Sequence, residues 1–115
     1  MILSGVFAPI PTPFDEDDRV DTRRLRAALE RWAAGPLDGF VVLGSTGEAV
    51  FLDDFEADRV IVAAREAIPR DRAFIVGTGR ESTQAAIKAA KGTSSQLNSG
   101  KLCVASSVKL TACNV

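Results

Sequence analysis

The chain has 115 residues, 46% of them hydrophobic, and a formal net charge of −1, which suits one modest domain able to bury a core. Its 14 Lys and Arg against 15 Asp and Glu show no clustered basic excess, so a nucleic-acid partner is not expected. Histidine is absent, which closes Ser-His-Asp and Cys-His nucleophilic systems and His-ligated zinc.

Three apolar runs, each followed by a turn and an amphipathic helix, make up most of the chain. The first run, Gly5 to Ile10, enters the Pro-rich turn Pro11-Thr12-Pro13 and the acidic loop Asp15 to Asp18. These prolines and the lack of a basic leader segment argue against a signal peptide, and no run approaches the ~20 apolar residues of a membrane span. A cytoplasmic protein with no membrane partner is the expectation. A helix should start at an N-cap near Asp21, bury Leu25, Ala28, Leu29, Trp32 and Ala33, and end at Gly35-Pro36.

The second strand, Gly39 to Leu43, lacks polar alternation and suits a parallel strand buried on both faces. Glycines in the following Gly44-Ser45-Thr46-Gly47-Glu48 loop are expected to let the backbone turn sharply. The next helix opens at Asp53 with Glu56 three residues on, a capping-box pattern, and buries Val60, Ile61, Ala64, Ala67 and Ile68 before Pro69 stops it. The third unit is the strand Ala73 to Val76, Gly77-Thr78-Gly79, and a helix from about Ser82 through Ala86, Ile87 and Ala90. This spacing predicts parallel strands joined by right-handed crossovers.

Composition changes at Gly92. Every acidic residue lies at or before Glu81 and every arginine at or before Arg80, whereas residues 92–115 hold both cysteines and five of the serines. That stretch reads as a loop or disordered tail, with Lys101 to Val108 as the alternative of a fourth strand. Cys103 and Cys113, with nine residues between them, fit neither a C-x-x-C redox pair nor a zinc knuckle and read as two unpaired thiols.

Chemistry concentrates in the Gly44 to Glu48 loop. A nucleophile elbow would need glycine where Leu43 stands and a histidine the chain lacks. A phosphate-binding Gly-Lys-Ser/Thr is missing, and Gly77-Thr78-Gly79 lacks the third glycine of a dinucleotide fingerprint. For Ser45 and Thr46 two readings stay open: amides and hydroxyls that hold a carboxylate or oxyanion, or a helix-capping turn. Glu48 reads as a cap or ion-pair partner before a general base, and Asp15 to Asp18 as a solvated turn before a cation site.

Taken in order, Gly5-Val6-Phe7-Ala8-Pro9-Ile10-Pro11-Thr12-Pro13-Phe14, GFVVLGSTGE, Phe51-Leu52, Val76-Gly77-Thr78-Gly79 and Glu81-Ser82-Thr83-Gln84 resemble the pyruvate-dependent class I aldolases. This is the family of dihydrodipicolinate synthase and N-acetylneuraminate lyase, and the look is closest to 4-hydroxy-2-oxoglutarate aldolase. The resemblance implies the first three β-α units of a (β/α)8 barrel over residues 1–91, with 92–115 a divergent tail or frame-shift product. It implies a Schiff base between a barrel lysine and pyruvate or a related 2-oxo acid, no cofactor or metal, and homo-oligomeric full-length relatives. Carried over, Gly44, Ser45, Thr46 and Gly47 bind the substrate carboxylate, Thr46 gripping it with the loop backbone, and Ser45 is the relay hydroxyl.

The departures are as plain. A barrel of this kind needs ~250 residues. The family's lysine lies on the sixth strand; here the lysines are Lys88, Lys91, Lys101 and Lys109, none in a matching motif, and tyrosine is absent. The resemblance therefore implies a catalytically incomplete chain. The second reading is a small flavodoxin-like binding or regulatory module holding a phosphate or carboxylate.

Overall fold

A computed structural model describes residues 3–97, 102–106 and 109–114. In chain order these form β1 (Phe7–Pro9), α1 (Thr22–Ala33), β2 (Gly39–Val42), a 3-10 turn (Ala49–Phe51), α2 (Asp54–Ala67), β3 (Ala73–Gly77), α3 (Thr83–Gln96), β4 (Leu102–Ser106) and β5 (Lys109–Asn114). The sheet runs β1-β2-β3-β4-β5, parallel from β1 to β4, with β5 antiparallel on the β4 edge.

Register explains the core. Phe40, Phe74 and Leu102 fall in one row, and Val42, Val76 and Val104 in the next. All six are buried, in one cluster with Leu25 and Leu29 of α1 and Val60 and Ile61 of α2. Each such side chain contributes about 1.5–3 kcal/mol by leaving water. The alternate positions Val41 and Ile75 are only half-buried, so burial on both faces, expected for β2, holds for the helix-covered face alone. Among the described residues no second layer covers the other.

Local signals placed the helices. Asp21 caps α1 by accepting from the Arg24 amide at 3.0 Å. Asp53 and Glu56 form a reciprocal capping box on α2, at 2.7 and 3.1 Å. Ser82 caps α3 through the Ala85 amide at 3.2 Å. One buried position was unexpected: Arg65 of α2 donates to the Ile68 carbonyl at 2.6 Å and lies 5.1 Å from the centre of the Phe74 ring. Burial, with Arg70 nearby, lowers its pKa below the usual guanidinium range. On α3 Ile87 is exposed, and Ala90, Thr93 and Leu97 make up the buried side of that segment.

The compositional change at Gly92 does not break the secondary structure. Helix α3 continues to Gln96, and Leu102–Ser106 pairs with β3, where Leu102 and Val104 extend the buried rows. The described part of 92–115 is thus helix and strand rather than loop, because alternating apolar residues find a sheet edge to join. Lys101, Ser107 and Val108 of the alternative fourth strand lie outside the described residues. Cys103 is disulfide-bonded, not the free thiol expected, and the β4–β5 register sets its Cα opposite that of Cys113. No helix among the described residues is long and apolar enough to cross a membrane.

The capping box yields a direct expectation. Asp53→Ala should cost about 1 kcal/mol, as N-cap removal generally does, read as a lower urea midpoint at unchanged slope.

Candidate functional site

The loop from Leu43 to Glu48 leaves the carboxyl end of β2, where ligands of parallel α/β sheets bind. Its left-handed residues are not the glycines. Leu43 has φ 56° and Glu48 φ 55°, and no glycine of the loop has a positive φ. A side chain in that conformation costs about 1–2 kcal/mol, so the surroundings must hold it there. The glycines serve close approach instead. A β-carbon on Gly47 would lie 3.1 Å from both the Ile10 carbonyl oxygen and the Leu43 nitrogen. One on Gly77, across the sheet, would run into the Leu43 carbonyl. Gly44 has room, its nearest such neighbour being 3.9 Å away.

Two overlapping turns shape the loop: the Gly47 amide donates to the Gly44 carbonyl and the Glu48 amide to the Ser45 carbonyl, each at 3.1 Å. The Gly47 carbonyl accepts a buried 2.7 Å bond from the Thr12 hydroxyl. Ser45 and Thr46 sit exposed between these ties, and among the described residues neither their amides nor their hydroxyls have a protein partner. They do not cap a helix. The α2 cap is Asp53, and the 3-10 turn starts from Glu48 without a side-chain bond. Glu48 is exposed, holds the N-cap position of the 3-10 turn without a side-chain bond and, among the described residues, is in no ion pair.

Beside the loop is an open cavity of about 520 Å³, lined by Gly44 and Ser45 together with Glu48, Phe51, Arg80 and Glu81. Thr46 and Gly47 stand outside that lining. Arg80, which the sequence did not single out, donates to its neighbour's Gly79 carbonyl at 2.9 Å and to Asp54 Oδ1 at 3.4 Å. It also borders a second cavity of about 420 Å³ between α2 and α3, which Lys88 lines. Lys91 lines neither cavity, Lys109 opens β5, and Lys101 lies outside the described residues.

The acidic run closes on itself. Asp15 Oδ1 accepts from the Asp17 and Arg19 amides at 2.9 and 3.0 Å, and the Arg19 bond chiefly holds its carboxyl below the usual range. No group of three metal-ligating side chains occurs among the described residues. The strained position gives an expectation: Glu48→Gly should raise stability by about 1 kcal/mol, because glycine adopts a positive φ freely, read as a higher urea midpoint.

A model of the dihydrodipicolinate synthetase family matches residues 2–105. The chain is 39% identical over 88 residues to the 4-hydroxy-tetrahydrodipicolinate synthase of Protochlamydia amoebophila, a span of 76% of this chain and 29% of that protein. Its fold superposes on N-acetylneuraminate lyase from Proteus mirabilis with TM-score 0.80 and 26% identity, covering 90% of this chain and 34% of the lyase. A Sulfolobus solfataricus 2-keto-3-deoxygluconate aldolase variant in complex with pyruvate gives TM-score 0.75 and 26% identity over 90% of this chain and 33% of that one. The chain thus spans less than a third of the curated relative and about a third of the solved structures. The (β/α) units expected from the sequence are a sector of the barrel these structures share.

Proposed function

The chain belongs to the dihydrodipicolinate synthetase family, and we propose that it carries the carboxylate-binding corner of a Schiff-base-forming pyruvate aldolase or lyase. The observation behind this is the set of exposed amide and hydroxyl donors of Ser45 and Thr46, unengaged among the described residues, at the carboxyl end of β2, with Ser45 lining the adjoining cavity. Short donors on neighbouring residues of a glycine-flanked loop suit a carboxylate. Thr46 and the loop backbone would hold the carboxylate of pyruvate or a related 2-oxo acid, with Gly44 and Gly47 shaping the loop. Ser45 would be the relay hydroxyl. That the related Sulfolobus aldolase variant was solved with pyruvate supports the choice of ligand.

Aldol chemistry of this kind needs a lysine amine that attacks the ketone, loses water and leaves an iminium as electron sink. Neither Lys88 nor Lys91 lines the cavity beside the loop, and the chain has no tyrosine. On this reading the 115-residue chain binds but does not turn over. The assignment to the 4-hydroxy-2-oxoglutarate aldolase branch rests on GSTGE, the Ala67-Ile68-Pro69 helix end and Glu81-Ser82-Thr83-Gln84.

Strand order favours the barrel reading over the flavodoxin-like module. The order β1-β2-β3-β4 is sequential, as in a barrel wall, whereas a doubly wound sheet reverses at a switch point. We read residues 1–91 as the barrel part and 92–115 as a divergent tail from a shifted reading frame, on the loss of Asp, Glu and Arg. The family match runs past that boundary to residue 105, so it counts against divergence from 92 and leaves only 106–115 outside the family. A family-like continuation in another frame of the coding DNA would support the shift, and none in either frame would refute it.

Pyruvate titrated into the chain should move the Ser45 and Thr46 amide resonances, and the double variant Ser45→Ala, Thr46→Val should bind about tenfold more weakly, a loss of about 1.4 kcal/mol. Borohydride with pyruvate should leave no covalent adduct. A lysine adduct would refute catalytic incompleteness, and undisturbed Ser45 and Thr46 resonances would refute the carboxylate site.

A further inference from the structure

Thr12 precedes Gly47 by 35 positions in the chain, yet its hydroxyl donates a 2.7 Å bond to the Gly47 carbonyl, and its side chain is only 5% exposed. It stands between Pro11 and Pro13, whose rings set their own φ and carry no amide hydrogen. In that turn the Thr12 hydroxyl is the donor that meets the loop. Without it the Gly47 carbonyl would lose its buried partner. At the other end of the loop the Leu43 carbonyl is seated against Gly77 of β3. The loop is therefore gripped from both neighbouring strands, by Thr12 just after β1 at its end and by Gly77 at its start.

Ser45 and Thr46 lie between the two grips, and among the described residues their amides and hydroxyls donate to no protein group, the Ser45 carbonyl alone accepting the Glu48 turn bond. Their donors are placed by the loop's turn bonds and by its two ends rather than by bonds those donors make. Thr12 does not line the adjoining cavity, and its hydroxyl is spent on the Gly47 carbonyl. We propose that Thr12 is a positioning residue for carboxylate binding: its hydroxyl, through the Gly47 carbonyl, holds the Ser45 and Thr46 donors in their binding arrangement. This rests on the reading of the loop as a carboxylate site.

The test uses the full chain, isotopically labelled and titrated with sodium pyruvate. Thr12→Val removes the hydroxyl at nearly constant volume, and Thr12→Ser keeps it. Thr12→Val should weaken pyruvate binding about tenfold and speed exchange of the Gly47 amide about tenfold, with Thr12→Ser restoring both to about the wild-type value. Protection of the Phe40 and Phe74 amides in β2 and β3 should not change, which separates positioning from general loosening. A wild-type response that Thr12→Val leaves intact overturns the role of Thr12 alone. Absence of any wild-type response overturns the carboxylate reading and the role together. If Thr12→Val unfolds the sheet, Thr12→Ser decides: wild-type affinity supports the hydroxyl, and a tenfold loss overturns it.

Discussion

The Leu43 carbonyl fills the space that a β-carbon at position 77 would need, so the ends of β2 and β3 come closer than any residue but glycine would permit. Leu43 reaches this contact in the left-handed region while its side chain stays in the core, 4% exposed. The side chain is held inward by packing while the carbonyl is turned toward Gly77. From that point the loop must fold over the end of the sheet, and two 3.1 Å turn bonds bring it back down to Glu48, again left-handed. The strain at the two residues is the cost of a loop that leaves its central donors unengaged.

The same geometry depends on a sheet that is anchored on one side. The rows Phe40, Phe74, Leu102 and Val42, Val76, Val104 lie beneath the helices, and Val41 and Ile75 face the other way, half-buried. Parallel pairing aligns the carboxyl ends of β1, β2 and β3, which is why a turn after β1 and a glycine in β3 reach one loop after β2. Residues far apart in the chain become neighbours through register alone.

Features written in neighbouring residues were legible in the sequence. The caps Asp21, Asp53 and Ser82 and the stripe through Leu25 and Leu29 follow from local hydrogen bonding and helical period, and they stand where expected. What depends on distant partners was not. Arg65 looks like a surface residue until Phe74 is placed beside it, and Thr12 looks like a turn residue until Gly47 arrives across the sheet. Strain at Leu43 and Glu48 ran against propensity, which pointed to Gly44 and Gly47 as the bending points. Likewise the serine-rich composition after Gly92 left β4 only a second reading, because Leu102 and Val104 find burial only against β3.

The antiparallel β5 has a consequence for how this sheet can grow. A barrel wall advances by adding a parallel strand beside β4, and here that seat is taken by a strand running the opposite way, with a register irregularity between Val104 and Ala105. The hydrogen-bonding edge of β4 can serve one neighbour at a time. Occupancy by β5 and closure of a barrel are therefore rival arrangements of the same edge, and any route to a closed wall must begin with β5 peeling away.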